Sequence, residues 1–236
     1  MSTKPPALIT GATQGIGRAT AFALARAGYP VGVCARTEAK VQALVADLTK
    51  EGFKAVGVRC DVGDADSVAA MVTTIESALG PIGVLINNAG IARLKPFDQL
   101  SIEDFDATMA TNVRSLFLVT RLVLPGMRVR KSGDIVNVAS LAGRNGFVGG
   151  TAYTASKHAV LGFSRSLMLE VRKENVRVIA ICPGTVDTPM MQGQSMMNPR
   201  VDHVLQADDI AATILATLQL PVRAMVSELD IRPTDP

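Results

Sequence analysis

Three side chains in the second half of the chain have the types that proton transfer requires: Ser140, Tyr153 and Lys157. Tyr153 and Lys157 stand four residues apart in a helix-like pattern, so both project from one helix face. A phenol has a reference pKa near 10 and is a poor acid or base at neutral pH, but a nearby ammonium favours its anion. Lowering it by about 3 units calls for about 4 kcal/mol of differential interaction, which Lys157 and a second positive charge can supply together. Tyr153 would then give a proton to a carbonyl oxygen, or take one from an alcohol. The Ser140 hydroxyl, at the mouth of a strand-like run, would steady the developing oxyanion. A Tyr-x-x-x-Lys spacing occurs on many helices, so its surroundings decide its meaning.

The second positive charge would be that of an oxidised nicotinamide, and the other end of the sequence offers its dinucleotide a place. Residues 7–17 read Ala-Leu-Ile-Thr-Gly-Ala-Thr-Gln-Gly-Ile-Gly, an apolar run that breaks into glycine and then into a helical pattern. Backbone without a Cβ turns sharply and approaches a phosphate closely, and a new helix offers unpaired N–H groups at the positive end of its dipole. A dinucleotide pyrophosphate fits there, although the spacing of Gly11, Gly15 and Gly17 departs from G-x-G-x-x-G. About 20 residues on, where an acid would bind a ribose 2′-hydroxyl, the chain has Arg36 and Thr37. A planar guanidinium and a hydroxyl suit a 2′-phosphate, so NADP is favoured over NAD. The plain alternative is a solvated loop charge. Glu38 either takes the ribose or stabilises a helix N-terminus. Asp61 is open to two readings, a partner for the adenine amino group or a helix N-cap or turn residue. Residues 87–90, Asn-Asn-Ala-Gly, can hold backbone against a ligand.

Positioning these residues takes an alternating pattern. Apolar strand-like runs at residues 7–10, 31–35, 55–60 and 84–87 alternate with helical patterns at 16–27, 38–50 and 64–79. Two helices follow within 101–129, with Ser101 and Asp104 in a capping arrangement. Beyond them come a strand at 134–140, a long helix at 151–173, a strand at 176–182, a helix at 207–218 and a short seventh strand at 224–229. Strands separated by helix-length crossovers are parallel, and continuous apolar runs are buried on both faces. The expected fold is α/β: a Rossmann-type, doubly wound, seven-stranded parallel sheet in a three-layer αβα arrangement, in one domain spanning 1–236. Ligands of such sheets bind beyond the carboxyl ends of the strands, where each residue singled out above falls.

Composition limits the function classes. Of 236 residues 48% are hydrophobic and 19% charged, enough for a sizeable core, and a formal charge of +3 with scattered basic residues argues against a nucleic-acid surface. The first residues run into a strand without an apolar leader, and no stretch reaches the length of a membrane span, so a cytoplasmic location is expected. Cys34, Cys60 and Cys182 lie in apolar runs without a CxxC pair or a nearby His, so they are expected to be buried thiols, and no metal site is expected.

Taken together, the motifs resemble those of the short-chain dehydrogenase/reductase family. Residues 10–17 match its TGxxxGIG, residues 87–90 its NNAG, and Asp61 its adenine-side aspartate. Asn112, Ser140, Tyr153 and Lys157 match its catalytic tetrad, and Pro183 and Gly184 through Thr188 its nicotinamide-side segment. The match extends from Leu8 to about Thr188. It implies hydride transfer between NADP(H) and a small carbonyl or secondary alcohol substrate, with a homodimer or homotetramer formed through the helices in 102–129 and 151–173. It implies cofactor contacts at Gly11, Thr13, Gln14, Gly15, Ile16, Gly17, Arg36, Thr37, Asp61, Val62, Asn88, Ala89, Gly90, Pro183, Gly184, Val186 and Thr188, and from Tyr153 and Lys157. Lys157 would also hold the nicotinamide ribose, and Asn112 would bend its helix and fix a water that relays protons to Lys157. Gln14 departs from the Arg or Lys that many NADP-type members carry there, so NADP preference rests on Arg36.

Several residues stay outside this scheme. His158 points about 100 degrees away from Lys157 and is expected to pack structurally. Met190, Met191, Met196 and Met197 fall in an expected short substrate lid at 188–206, as a mobile wall over an apolar substrate or an oligomer contact. Arg93, Lys95, Arg144 and Asn145 flank the mouth, either attracting an acidic substrate or standing as solvated loop polarity. A dinucleotide-binding regulator that keeps the fold without turnover is the rival reading.

Overall fold

The computed structural model describes residues 4–192 and 203–235. Seven parallel strands form one sheet in the order β3-β2-β1-β4-β5-β6-β7. They are β1 (Ala7–Thr10), β2 (Val31–Ala35), β3 (Ala55–Arg59), β4 (Val84–Asn87), β5 (Gly133–Val138), β6 (Val176–Pro183) and β7 (Glu228–Ile231). The helices are α1 (Gly15–Arg26), α2 (Glu38–Lys50), α3 (Ala65–Leu79), α4 (Ile102–Met109), α5 (Ser115–Arg130), α6 (Thr151–Val171), α7 (Pro189–Gln192) and α8 (Ala207–Leu218).

Side chains that alternate along each strand enter two separate cores. Ile9, Val33, Ile86 and Val136 pack with α1, α2 and α8, while Leu8, Cys34, Leu85 and Ile135 face α3, α5 and α6. This sorting makes three layers. The chain builds β1 to β3 outward in one direction, then returns to place β4 against the free side of β1. The reversal opens a crevice at the carboxyl ends of β1 and β4, the place where doubly wound sheets bind ligands.

Two local features bear on the site. The region expected to hold two helices does so, but α4 passes into α5 through a π-turn at Ala110–Arg114, and Ser101 caps α4 by accepting from the Asp104 N–H at 3.1 Å. A π-turn re-aims side chains within an otherwise continuous helix, and this one carries Asn112.

The seventh strand lies later than the apolar run at 224–229 suggests. Arg177 accounts for the shift. Its buried guanidinium bonds Asp134, its register partner on β5, at 2.5 Å and donates to the carbonyls of Leu218, Leu220 and Ala224. With the end of α8 and the turn at 221–224 held this way, ladder pairing with β6 begins only where Ala180 N–H donates to Ser227 O. Arg177→Met leaves Asp134 part-buried without its partner and three carbonyls unanswered. The expected loss is about 3 kcal/mol in urea unfolding, and Asp134→Asn is expected to lose less.

Candidate active site

The floor of the crevice is a lock between the ends of β1 and β4. Thr10 Oγ1 accepts from the backbone N–H groups of Asn88 (3.0 Å) and Ala89 (3.1 Å), and Asn88 Nδ2 donates to the carbonyls of Thr10 (2.9 Å) and Gly11 (3.0 Å). Gly11 turns at φ +63°, and a Cβ there would stand 2.8 Å from the Ala89 backbone. Only glycine closes this joint without displacing β4. The helix that follows starts at Gln14 with no side-chain cap and no acid in its first turn, so its leading N–H groups are left for an anion.

At the end of β2, Arg36 and Thr37 line the cleft together with Lys40. Neither cation has an ion pair among the described residues, and Thr37 makes no cap bond to α2. Sequence reasoning misses Lys40. Its signal is its place one turn into α2, beneath Thr37. Glu38 instead accepts from Gln42 at 2.6 Å in the first turn of the helix and does not line the cleft. Asp61 lines it and accepts from Gly63 N–H at 2.9 Å as a turn residue, while the N-cap of α3 is Asp64.

At the other end stand the groups with proton chemistry. Ser140 follows β5, accepts from Ala142 N–H at 3.1 Å, donates to Pro183 O at 3.5 Å and stands near enough to the Tyr153 phenol to act on its pKa. Lys157 is buried, donates from Nζ to Val138 O at 2.8 Å and lies 5.6 Å from the Tyr153 ring centroid. Burial pushes the phenol up, with the Ser140 bond working against it, and burial pulls Lys157 down to about 8, with Cys182 opposing. The phenol is thus pushed up, against the lowering expected from a second positive charge together with the Lys157 ammonium. Its nitrogen is turned to a backbone carbonyl, and desolvation dominates both groups.

Two expected contacts lie behind the surface instead of on it. Asn112 is fully buried, accepts from Ile91 N–H at 2.8 Å and donates to Ile91 O and Ser156 Oγ at 2.9 Å each. It positions the chain after β4 against α6, and its amide is spent on protein partners. Gly17 is buried under the turn, where a Cβ would collide with Gly11 O. The cleft has a volume of about 660 Å³ and is lined by Thr13, Gln14, Gly15, Ile16, Val62, Asn88, Ala89, Gly90, Pro183, Gly184, Val186 and Thr188 as well as the groups above. That volume is in the range of small-molecule sites, and the unpaired amides and cations at one end are the donor set a phosphorylated dinucleotide needs.

The remaining expectations divide. Arg93 and Lys95 both pair with Asp104 (3.7 and 2.5 Å), and Arg144 pairs with Glu228 and Asp230, so none is a free attractor for an acid. Asn145 is exposed. His158 lies exposed on α6 with Nδ1 3.0 Å from Thr154 O, not packed in a core. The three cysteines are buried thiols. Met190 and Met191 line the cleft from α7, whereas Met196 and Met197 lie outside the described residues.

Residues 6–198 match the family model described as short chain dehydrogenase. The chain belongs to the short-chain dehydrogenase family. It is 47% identical over 193 residues to a Streptomyces virginiae protein that carries the name of a monensin polyketide synthase ketoacyl reductase, covering 81% of this chain and 74% of that one. It is 38% identical to a 3-oxoacyl-[acyl-carrier-protein] reductase of Synechocystis over 94% of this chain and 92% of the relative. The crystal structure of a single-substitution variant of actinorhodin polyketide ketoreductase with NADPH superposes with a TM-score of 0.91 at 31% identity, over 99% of this chain and 98% of that one. Among the described residues of this short-chain dehydrogenase, no helix is long and apolar enough to cross a membrane.

The buried lysine makes stability depend on pH. Its folded pKa, about 8, lies below the unfolded value near 10.5, so between these limits the unfolded chain binds more protons and stability rises with pH. Urea unfolding at pH 7.5 and 9.5 is expected to show a rise of about 2 kcal/mol that the Lys157→Met variant lacks.

Proposed function

We propose that this short-chain dehydrogenase is an NADP(H)-dependent oxidoreductase acting on a carbonyl or secondary alcohol. The observation that supports it most is that Ser140, Tyr153 and the buried Lys157 line one end of a cleft whose other end presents Arg36 and Lys40, neither ion-paired among the described residues. When bound, the reduced nicotinamide supplies the hydride. Arg36 and Lys40 hold the 2′-phosphate, the first turn of α1 holds the pyrophosphate, and Thr188 with the Val186 backbone orients the carboxamide. Ser140 donates to the substrate carbonyl, and Tyr153, kept protonated by burial, transfers its proton to that oxygen as the alkoxide forms. Lys157 then stabilises the phenolate left behind. The reverse sequence oxidises an alcohol.

A regulator without turnover would have no use for an ammonium held against desolvation in a buried position. Self-association of α5 and α6 surfaces, in a dimer or tetramer, is part of the proposal. Phe117, Leu122 and Val129 on α5 and Leu169 on α6 are exposed apolar residues that support it. A single domain in the cytoplasm is part of the same proposal, and most of the expected lid at 188–206 lies outside the described residues.

Tyr153→Phe is expected to lower kcat for ketone reduction by about 10²- to 10⁴-fold while NADPH binding, followed by nucleotide fluorescence, is retained. Arg36→Asp is expected to weaken NADPH by about 10- to 100-fold and to leave NADH within about threefold, since only one carries the phosphate. Equal losses for both nucleotides would remove Arg36 from the 2′-phosphate.

A further inference from the structure

The two ends of the cleft treat charge in opposite ways. At the nucleotide end the cations are unpaired. At the substrate end, among the described residues, the basic side chains around the opening are answered by carboxylates, apart from Lys157 at its floor, which donates to Val138 O. Arg93 and Lys95 meet Asp104, Arg144 meets Glu228 and Asp230, Arg232 meets Asp230 at 3.6 Å, and His203 meets Asp235 at 3.3 Å. The cleft also has apolar lining from Ile91, Leu94, Leu141, Phe147, Met190 and Met191, of which Phe147 meets the Tyr153 ring.

Within this wall Phe147 is held by a dedicated structure. Phe147, Val148, Gly149 and Gly150 form a turn closed by Gly150 N–H donating to Phe147 O at 3.1 Å, with Gly149 at φ +78° in the third position that demands glycine. Gly149 O accepts from Lys95 N–H at 2.9 Å, which ties the turn to the loop after β4. A Cβ on Gly150 would lie 2.5 Å from the Phe147 ring, so the ring rests on bare backbone. From there it meets Tyr153 edge to face, with centroids 6.5 Å apart and planes at 69°. The ring is still 39% exposed and lines the cleft, which leaves a surface of it for another molecule. A loop phenylalanine needs neither two glycines nor a hydrogen bond to a second loop merely to cover a surface.

The geometry points to Phe147 as the residue that sets substrate class: it receives an uncharged aryl substituent on the carbonyl carbon, stacking it beside Tyr153 so that the carbonyl oxygen falls between the phenol and Ser140. Acidic ketones are disfavoured, because a carboxylate against the apolar wall would be desolvated, and the one cation there without a carboxylate, Lys157, is bonded to Val138 O beneath Tyr153. This inference rests on the proposed hydride-transfer activity.

The test compares NADPH oxidation by the full chain with acetophenone, acetone and acetoacetate, for wild type, Phe147→Ala and Phe147→Leu, with thermal unfolding as the check that each variant folds. Wild type is expected to prefer acetophenone to acetone, and acetone to acetoacetate, in kcat/KM. Phe147→Ala is expected to lower the acetophenone-to-acetone ratio of kcat/KM about tenfold, the loss of one aromatic pair. Phe147→Leu restores volume without the ring and is expected to recover less than half of that loss on a logarithmic scale. An unchanged acetophenone-to-acetone ratio in Phe147→Ala, or acetoacetate reduced better than acetophenone, would overturn the assignment while hydride transfer stands. Bound NADPH with no turnover of any ketone would overturn both this assignment and the activity beneath it.

Discussion

The active site turns on the desolvation of one ammonium. Lys157 is buried at the floor of the cleft, and that burial, pulling it down to about 8, sets the terms for its neighbours. The same low-dielectric surroundings push the Tyr153 phenol up, so burial acts on the pair in the direction of neutrality for both. The outcome at neutral pH is a phenol that keeps its proton and a lysine that is still mostly charged. This is the resting state that a carbonyl reduction needs: an acid ready to give its proton, and a cation waiting for the anion left behind. Burial that weakens the cation in the resting enzyme also strengthens its attraction to that phenolate, because both effects follow from the low dielectric.

Holding a charge in such a place requires a scaffold that cannot relax away from it. Val138 O fixes Nζ from the end of β5, and the turn after Ser140 presses on α6 so closely that a Cβ on Gly143 would stand 2.8 Å from the Lys157 carbonyl. Behind α6, Asn112 on the π-turn ties Ser156 to both backbone groups of Ile91. Deeper still, Asn87 donates to Asn137 at 2.9 Å, and Asn137 donates to Ser164 on α6 at 2.9 Å. This buried polar chain crosses β4, β5 and α6 with each named amide satisfied, which fixes the register of the elements bearing Ser140 and Lys157.

Much of this is legible in the sequence because it depends on short-range spacing. The step from apolar run to glycines to helix, the separation of Tyr153 and Lys157, and the Ser101 cap are all set within one or two helical turns. What escapes the sequence depends on partners far apart. Arg144 is neutralised by Glu228 and Asp230 on the distant last strand, and nothing local marks them as its partners. The start of β7 is decided by Arg177 capping the carbonyls after α8, not by the hydrophobicity of 224–229. Lys40 reads as one more charge on a solvated helix until the fold places its first turn over the cleft. The direction of the phenol's shift is hidden for a similar reason: charge can be counted along a chain, whereas desolvation needs the three-dimensional surroundings.

The most direct test of the central claim is the pH dependence of kcat/KM for ketone reduction at saturating NADPH. If the Lys157 charge is what stabilises the departing proton's phenolate, the rate falls as the ammonium deprotonates, with an apparent pKa close to 8 and well below the ordinary value for a phenol. A profile that stays level through about pH 10, the reference value for a phenol, would show that Tyr153 works without that charge and would contradict the account.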